Sequence, residues 1–404
     1  MVEQVTTVSS VINFHSPQLL ELPPLSLYIH FPWCIKKCPY CDFNSHEIGS
    51  DANNLPEKEY LSALLRDLEA ALPLIWGRRV SSIFIGGGTP SLLSSSELER
   101  LLSQARMLLS LDPSVEVTLE ANPGTFESKK FAAFREAGVN RLSIGVQSFN
   151  AEHLLRLGRI HNDYEARHAI ETSLNYFDNI NLDLMYALPA QTLEQARTDI
   201  ETACATGVPH ISAYHLTLEP NTFFYQYPPI LPDDELSADM QLLIEQALLN
   251  AGFTHYEISA FAKSGHRSHH NLNYWQFGDY LGIGAGAHSK ISFRDKIIRQ
   301  MRYKHPKKYL EVLQGHSTSP VQTEQNLDVA DRVFEFMMNA LRLVEGFHPE
   351  VFQARTGLPI NIAQQQLKAA EQMGLIDWDY HQIVATDKGR KFLNDLLQIF
   401  LPNK

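Results

Sequence analysis

The chain has 404 residues, four cysteines and a formal net charge of −12 at pH 7. This length predicts two or three domains, and the acidic balance argues against a general affinity for nucleic acid or anionic lipid. The sequence contains no run of about 18 apolar residues, so we predict no membrane-spanning helix. Residues 1–24 lack the pattern of a signal peptide and predict a short polar tail, and the few cysteines favour the reducing cytoplasm.

Strand and helix patterns alternate about six times along the first half of the chain. The alternation predicts parallel strands joined by right-handed helical crossovers. Six strands favour an α/β fold, a partial (β/α)6 barrel over residues 25–228, whose site lies at the carboxyl ends of the strands. The predicted strands span residues 25–32, 80–85, 115–119, 141–146, 180–184 and 210–218, and the predicted helices span 57–72, 96–109, 129–137, 164–176 and 193–206.

Beyond the barrel, the pattern changes twice. A proline-rich segment at 225–234 is typical of a barrel's end, and residues 229–330 form an accessory region rich in histidine and glycine. From residue 331 onward, helices are followed by a ribbon-like segment at 375–386, which predicts a winged-helix-like domain over 331–404. This domain has eight basic and nine acidic residues, whereas a DNA-reading wing needs a basic footprint. We therefore expect it to cover the barrel or contact a protein.

Three of the four cysteines lie within eight residues, at Cys34, Cys38 and Cys41. An odd number of thiols is a poor disulfide framework, but three thiolates suit a 4Fe–4S cluster whose fourth iron stays open. Two alternatives remain on spacing alone: Cys38 and Cys41 as a redox pair, or the three thiols with His30 or His46 around zinc.

Other polar or glycine-rich groups follow the predicted strands. Gly86 to Pro90 spell GGGTP, which alone is typical of a tight turn and lacks the pattern of a phosphate-binding loop. Glu120, Gln147, Arg159 and Asp183 would each alone be a solvated or capping group. If these residues meet at one rim, the carboxylates of Glu120 and Asp183 could accept hydrogen bonds from hydroxyl and amine groups of a ligand. Arg159 could pair with a carboxylate of that ligand.

The cysteine spacing resembles that of the radical S-adenosylmethionine (SAM) family, and the resemblance covers roughly residues 25–400. GGGTP resembles that family's GGxP loop, and the contexts of the later residues resemble the HemN-like, coproporphyrinogen-dehydrogenase branch. The resemblance implies a 4Fe–4S cluster held by the three clustered cysteines and glycines that let the backbone approach SAM. It implies a SAM pocket formed by Tyr28, Tyr40, Gly87, Gly88, Thr89, Glu120, Gln147, Arg159 and Asp183.

Within this branch, residues 270–275 spell HNLNYW and resemble the HNxxYW pattern of HemW-type haem chaperones. Phe43 stands where the coproporphyrinogen oxidases carry a fourth cysteine. The resemblance implies haem binding and delivery to acceptor proteins of unknown identity, with membrane contact only through an acceptor. The alternative is an oxygen-independent coproporphyrinogen III dehydrogenase, a radical SAM enzyme of haem biosynthesis, so the sequence leaves catalysis open.

The chemistry of the HNxxYW motif agrees with haem as a ligand. Imidazole is a common axial ligand of haem iron, and Tyr274 and Trp275 offer flat apolar surface for a porphyrin. The candidates for haem contact are therefore His270, Asn271, Tyr274 and Trp275. The alternative is a surface loop with incidental histidines.

Overall fold

The computed structural model describes residues 18–49, 55–125, 128–315 and 319–402. In chain order, its strands are β1 (Leu25–Phe31), β2 (Trp33–Cys34), β3 (His46–Glu47), β4 (Arg79–Gly87), β5 (Ser110–Ala121), β6 (Arg141–Gln147), β7 (Ile180–Tyr186), β8 (His210–His215), β9 (Thr254–Glu257), β10 (Ala260–Ala262), β11 (Asp279–Ile283), β12 (His288–Ser292), β13 (Ile297–Arg302), β14 (Val321–Asn326), β15 (Ile376–Trp378) and β16 (Ile383–Ala385).

Helices separate most of these strands. They are α1 (Glu57–Ala71), α2 (Ser95–Leu108), α3 (Ser128–Ala137), α4 (Ala151–Arg156), α5 (Asp163–Leu174), α6 (Leu193–Ala205), α7 (Phe223–Gln226), α8 (Asp234–Asn250), α9 (His269–Trp275), α10 (Pro306–Gln314), α11 (Val329–Ala340), α12 (Pro349–Thr356), α13 (Gln364–Gln372), α14 (Asp387–Lys391) and α15 (Leu393–Gln398). Of the helices in the described ranges, none has the length and apolar character needed to cross a bilayer.

The predicted partial barrel is confirmed. Strands β1, β4, β5, β6, β7 and β8 are successive parallel neighbours in one sheet. The predicted strand starts and helix bounds mostly agree with the observed ones to within two residues, because local side chains determine these boundaries. Asn162, for example, forms a capping box with Glu165 at the start of α5, and Thr192 forms one with Gln195 at the start of α6.

The accessory region continues the barrel sheet at both edges. β11 pairs in parallel with β1, and β12, β13 and β14 follow in antiparallel order, while β10 and β9 extend the sheet beyond β8. Buried ion pairs join the accessory strands to the barrel. Arg302 lies 3.2 Å from Asp67 of α1, and Asp279 contacts both Lys290 at 2.8 Å and Arg78 at 2.7 Å. Within the described ranges, the barrel and accessory strands form one sheet of twelve strands.

The C-terminal domain contains helices followed by the predicted ribbon, formed by β15 and β16. Its apolar core includes Phe336, Phe352 and Leu367, and it also buries Leu19, which is 3% exposed. The Leu19 amide donates to the Arg294 carbonyl at 2.8 Å. Residues 1–17 of the predicted polar tail lie outside the described residues, but the tail's end is docked on the domain core rather than free.

Candidate functional site

A cavity of about 390 Å3 opens at the carboxyl ends of the parallel strands. Its volume falls within the range of small-molecule sites. It brings together most of the predicted cluster and SAM residues: Cys34, Cys38, Tyr40, Cys41, Gly87, Gly88, Thr89, Glu120, Gln147, Arg159 and Asp183. The separate sequence motifs thus form one site, as expected for the rim of a parallel barrel.

Tyr28 is not among the residues that line this cavity. Its hydroxyl lies 3.0 Å from His30 Nδ1, and its ring stacks on Phe84 at 6.2 Å. Burial, with the charge of Glu120, raises the pKa of Tyr28. The structure therefore places Tyr28 behind the cavity wall, where it supports the site through His30.

The cysteine loop is held by its own polar contacts. The Cys41 amide donates to the Cys38 carbonyl at 3.1 Å, and Lys37 Nζ donates to the carbonyls of Phe43 and Ser45. The three cysteines are free thiols, and burial raises the pKa of Cys34 to about 11. A bound cluster would stabilise the thiolates instead, so the donor set suits such a group.

The geometry gives no support to a zinc site that includes His30. Within the described residues, no three His, Cys, Asp or Glu side chains converge closely enough to hold one metal ion. Ligands of one zinc must surround a single centre, whereas thiolates of a cluster bind separate irons. Both nitrogens of His30 are also engaged, with the Tyr28 hydroxyl and with the Asn44 carbonyl.

The GGGTP loop lies directly against the cysteine loop. The Gly88 amide donates to the Phe31 carbonyl and the Thr89 amide to the Trp33 carbonyl, both at 2.7 Å. A Cβ on Gly88 would lie 2.4 Å from the Trp33 carbonyl oxygen. Gly87 has φ +115, and its Cβ would lie 2.6 Å from the His30 ring. The structure thus shows a reason for glycine at both positions that does not involve SAM: a side chain there would collide with residues His30 and Trp33, which precede Cys34.

Two half-buried carboxylates, Glu120 and Asp183, occupy the cavity's inner wall. Glu120 accepts from the Gly87 amide at 3.0 Å, and burial together with the charge of Asp183 raises its pKa to about 7. Asp183 accepts from Ser143 Oγ at 2.9 Å and Asn181 Nδ2 at 2.8 Å. Burial raises the pKa of Asp183 as well, although these hydrogen bonds oppose the shift. Such groups could accept from hydroxyl or amine donors of a ligand.

Replacing Glu120 by Gln should raise the free energy of unfolding of the chain without cluster or SAM at pH 8. The raised pKa favours the neutral carboxyl in the folded state, so the free energy of unfolding falls between pH 4.5 and about 7. We expect a gain of up to about 3 kcal/mol at pH 8 and less than about 1 kcal/mol at pH 5. Urea unfolding of the cluster-free chain measures both values.

The control for this test is Glu152→Gln on the surface, where Glu152 pairs with Arg156 and is 61% exposed. An exposed pair contributes little, so this variant should unfold like the parent at both pH values. An equal gain from Glu120→Gln at pH 5 and pH 8 would contradict the raised pKa.

Arg159 bridges the strand ends and the cysteine loop. Its guanidinium donates to the Gly145 carbonyl at 2.8 Å and to Asn122 Oδ1, and lies 3.6 Å from Cys38 Sγ. Gln147 ends β6 with φ 67, a conformation that a non-glycine residue rarely adopts and that often marks functional sites. Both side chains border the cavity, so either could contact a ligand there.

The HNxxYW residues form helix α9, so the alternative of a surface loop is wrong. Ser268 caps the helix, and the amides of His269 and His270 donate to Glu116 at 3.1 and 3.0 Å. His270 Nδ1 lies 3.1 Å from Ser82 Oγ. Ser82 precedes Gly87 by five residues on β4, or about 16 Å of strand, so α9 covers the amino-terminal end of the barrel, away from the cavity.

The remaining motif side chains contact protein neighbours. Tyr274 lies 5.1 Å from Tyr280 and 5.0 Å from Trp275 between ring centroids, and Arg342 lies 4.5 Å above the Trp275 ring. Asn271 lies in the first turn of α9, where its backbone N–H donates to Ser268 Oγ. The assignment of these residues to haem stays a prediction.

Sequence reasoning missed the polar residues that surround Asp183 at the cavity wall and behind it. Ser143, Asn181 and Ser212 are at most 6% exposed and hydrogen-bond around Asp183. Their signal is polar residues at alternate positions within otherwise apolar strands, which places them on the inward face.

Comparisons with known proteins extend along most of the chain. A sequence profile described as the radical SAM superfamily matches residues 28–203, and one described as the HemN C-terminal domain matches residues 327–392. The heme chaperone HemW of Escherichia coli (strain K12) is 46% identical over 387 residues, which cover 95% of this chain and 100% of that protein. HemW of Bacillus subtilis (strain 168) is 34% identical over 93% and 99%. The solved structure of coproporphyrinogen III oxidase (HemN) from Escherichia coli, a radical SAM enzyme, has a TM-score of 0.80 at 24% identity, covering 94% and 90%.

Proposed function

The chain belongs to the HemW family of heme chaperones within the radical SAM superfamily, and we propose that it binds haem and passes it to acceptor proteins. We further propose that it carries a 4Fe–4S cluster and SAM and works in the cytoplasm, without nucleic acid as a partner. The cluster and SAM part of the proposal is supported by one cavity in which three free cysteines, a glycine loop and two half-buried carboxylates meet, and the haem part is supported by the similarity to HemW. Acceptor proteins are the proposed partners, and any membrane contact would come through them.

In this proposal, each part of the cavity has one task. Cys34, Cys38 and Cys41 hold the cluster, which supplies one-electron chemistry when bound. Glu120 and Asp183 accept from the hydroxyl and amine groups of SAM, and Arg159 faces its carboxylate. The remaining SAM contacts are assigned to Tyr40, Gly87, Gly88, Thr89 and Gln147, with Tyr28 behind the wall.

The rival function is oxidative decarboxylation of coproporphyrinogen III. The likeness to the solved oxidase, at 24% identity, concerns the fold alone. Phe43 replaces the fourth cysteine of that group, and its side chain is 61% exposed beside the cavity. The test is anaerobic reconstitution followed by parallel assays of haem binding and of coproporphyrinogen turnover with SAM and a reductant. Haem bound one to one without turnover supports the chaperone, whereas turnover without haem binding supports the oxidase.

A His270→Ala variant should bind haem more weakly and shift its Soret band. Burial lowers the pKa of His270 to about 4, so the imidazole is neutral at pH 7. Since Nδ1 is hydrogen-bonded to Ser82 Oγ, Nε2 is the nitrogen that remains to coordinate the haem iron. Trp275→Ala should weaken binding with less spectral change, because it removes apolar contact and no iron ligand.

The matched control is His266→Ala. His266 lies four residues earlier on the chain, and its Nδ1 contacts the Ser264 carbonyl at 3.0 Å. This variant should keep the parent spectrum and affinity. Unchanged haem binding in His270→Ala, with unfolding like that of the parent, would remove His270 as the ligand.

A further inference from the structure

A row of hydrogen bonds crosses the barrel interior from α9 to Asp183. The Ser268 amide lies 3.3 Å from the Tyr256 hydroxyl, which lies 2.8 Å from His210 Nε2. His210 Nδ1 lies 2.6 Å from Asn181 Oδ1, and Asn181 Nδ2 lies 2.8 Å from Asp183 Oδ1. The row thus links the start of the HNxxYW helix to a carboxylate in the cavity.

The chemistry of the groups gives this row one direction. A peptide amide can only donate, so the Tyr256 oxygen accepts from Ser268, and because Asn181 Oδ1 can only accept, the Nε2 of the neutral His210 ring accepts from the Tyr256 O–H. The imidazole then carries its proton on Nδ1 and donates to Asn181 Oδ1. The amide nitrogen of Asn181 is left to donate to Asp183.

Neighbouring contacts agree with this orientation of Asn181. Ser212 Oγ donates to Asn181 Oδ1 at 3.0 Å, and Asn181 Nδ2 also donates to Ser143 Oγ at 2.7 Å. Ser143 in turn donates to the second carboxylate oxygen of Asp183. A flipped amide would place acceptor against acceptor at Asp183, so every donor in the row points toward that carboxylate.

The row is buried from Ser268 to Asn181, and its far end, Asp183, borders the cavity. Tyr256 is 1% exposed and His210 is fully buried. Burial, with the charge of Arg141, lowers the pKa of His210 well below its usual value, which keeps the imidazole neutral. Leaving a buried partner without its hydrogen bond is costly, so the orientation of each group depends on the next.

The row also reaches the C-terminal domain. Arg267, just before Ser268, lies 5.5 Å above the Tyr256 ring. Its guanidinium pairs with Glu345 of the C-terminal domain at 2.6 and 3.0 Å. At the end away from the cavity, the row therefore contacts both the start of α9 and, through Arg267, the C-terminal domain.

We propose that Tyr256 and His210 are positioning residues for the SAM pocket, acting through Asn181 on the Asp183 carboxylate and connecting it to α9. Neither residue lines the cavity. The inference rests on the proposed SAM site at Asp183. It gives the HNxxYW helix a second role, because a ligand or partner that moves α9 would change the orientation of the Asp183 carboxylate that SAM contacts.

The test is Tyr256→Phe, which removes one O–H and keeps the ring. His210 Nε2 then loses its donor, so the imidazole is held by Asn181 alone and can tilt, which loosens the Asn181 amide that donates to Asp183. In the reconstituted protein we expect SAM affinity by calorimetry to fall about ten-fold at unchanged iron content. The 15N shift of His210 Nε2 should change toward that of a ring nitrogen that accepts no hydrogen bond, while Nδ1 keeps its proton.

The matched control is Tyr309→Phe. Its hydroxyl is also buried and donates to a carboxylate, Asp67, at 2.9 Å, but Asp67 does not line the cavity. This variant should lose comparable stability while keeping SAM affinity and the His210 shifts. A purely structural role for Tyr256 would make the two variants behave alike, which overturns the proposal.

An Asp183→Asn variant separates this inference from the function on which it rests. If Asp183→Asn weakens SAM binding and Tyr256→Phe does not, the positioning role is overturned while the SAM pocket stands. If Asp183→Asn leaves SAM affinity unchanged, the assignment of Asp183 to SAM falls, and the positioning role falls with it.

Discussion

We expect a Cys38→Ser variant to lose its iron almost completely. The intact protein should carry about four irons and four sulfides per chain after anaerobic purification. Cys38 lines the cavity together with Cys34 and Cys41, and no further cysteine lies among the residues that line it. A serine oxygen is a harder ligand than a thiolate and does not replace it. Iron and sulfide assays on the purified variant measure the loss.

The control for this prediction is Cys204→Ser. Cys204 lies on α6 and packs at the edge of the barrel core, so its variant should keep the full cluster. Full iron content in Cys38→Ser, or loss in Cys204→Ser alone, would contradict the assignment of the three clustered cysteines. Equal partial loss in both variants would also contradict it.

A Gly88→Val variant should lose both stability and cluster. The new Cβ would lie 2.4 Å from the Trp33 carbonyl oxygen and 2.8 Å from the Trp33 nitrogen. Real Cβ atoms do not approach backbone so closely, so the segment before Cys34 must shift. Overpacking of this kind costs about 1–3 kcal/mol or more. We expect a lower unfolding midpoint and an iron content well below that of the parent.

Gly124→Ala is the matched glycine control. A Cβ there would lie 3.4 Å from the nearest atom, His161 Cβ, which is ordinary contact. It should unfold and bind iron like the parent. If Gly88→Val keeps a full cluster and loses only SAM affinity, the glycine serves the ligand, and the contact with Trp33 is not the constraint that requires it.

The barrel could be predicted from sequence because its signals are local. The strands are mostly apolar runs that end at a polar or glycine-rich segment, and several helices have a capping residue at their start, such as Thr192 before α6. The convergence of Cys34, Glu120 and Asp183 then follows from the rule that carboxyl ends of parallel strands share one rim. The cavity brings these three residues together.

The partners of α9 and of the glycine loop could not be predicted in the same way. The seven residues of α9 have no long periodic pattern, and Glu116, which receives its first amides, lies about 150 residues earlier. The contact of Gly88 with Trp33 likewise depends on how two strand ends meet in space. Spacing in the sequence carries no information about such pairs.

Strand β1 illustrates what this topology demands during synthesis. It has β4 on one side and β11 on the other, and the pairing of Leu25 with Asp279 joins residues about 250 positions apart. A nascent chain that ends near residue 228 would therefore display one unpaired edge of a strongly apolar strand, a template for aggregation. We therefore expect residues 25–228, produced alone, to aggregate more readily than the full chain, because β11 is then missing from the edge of β1.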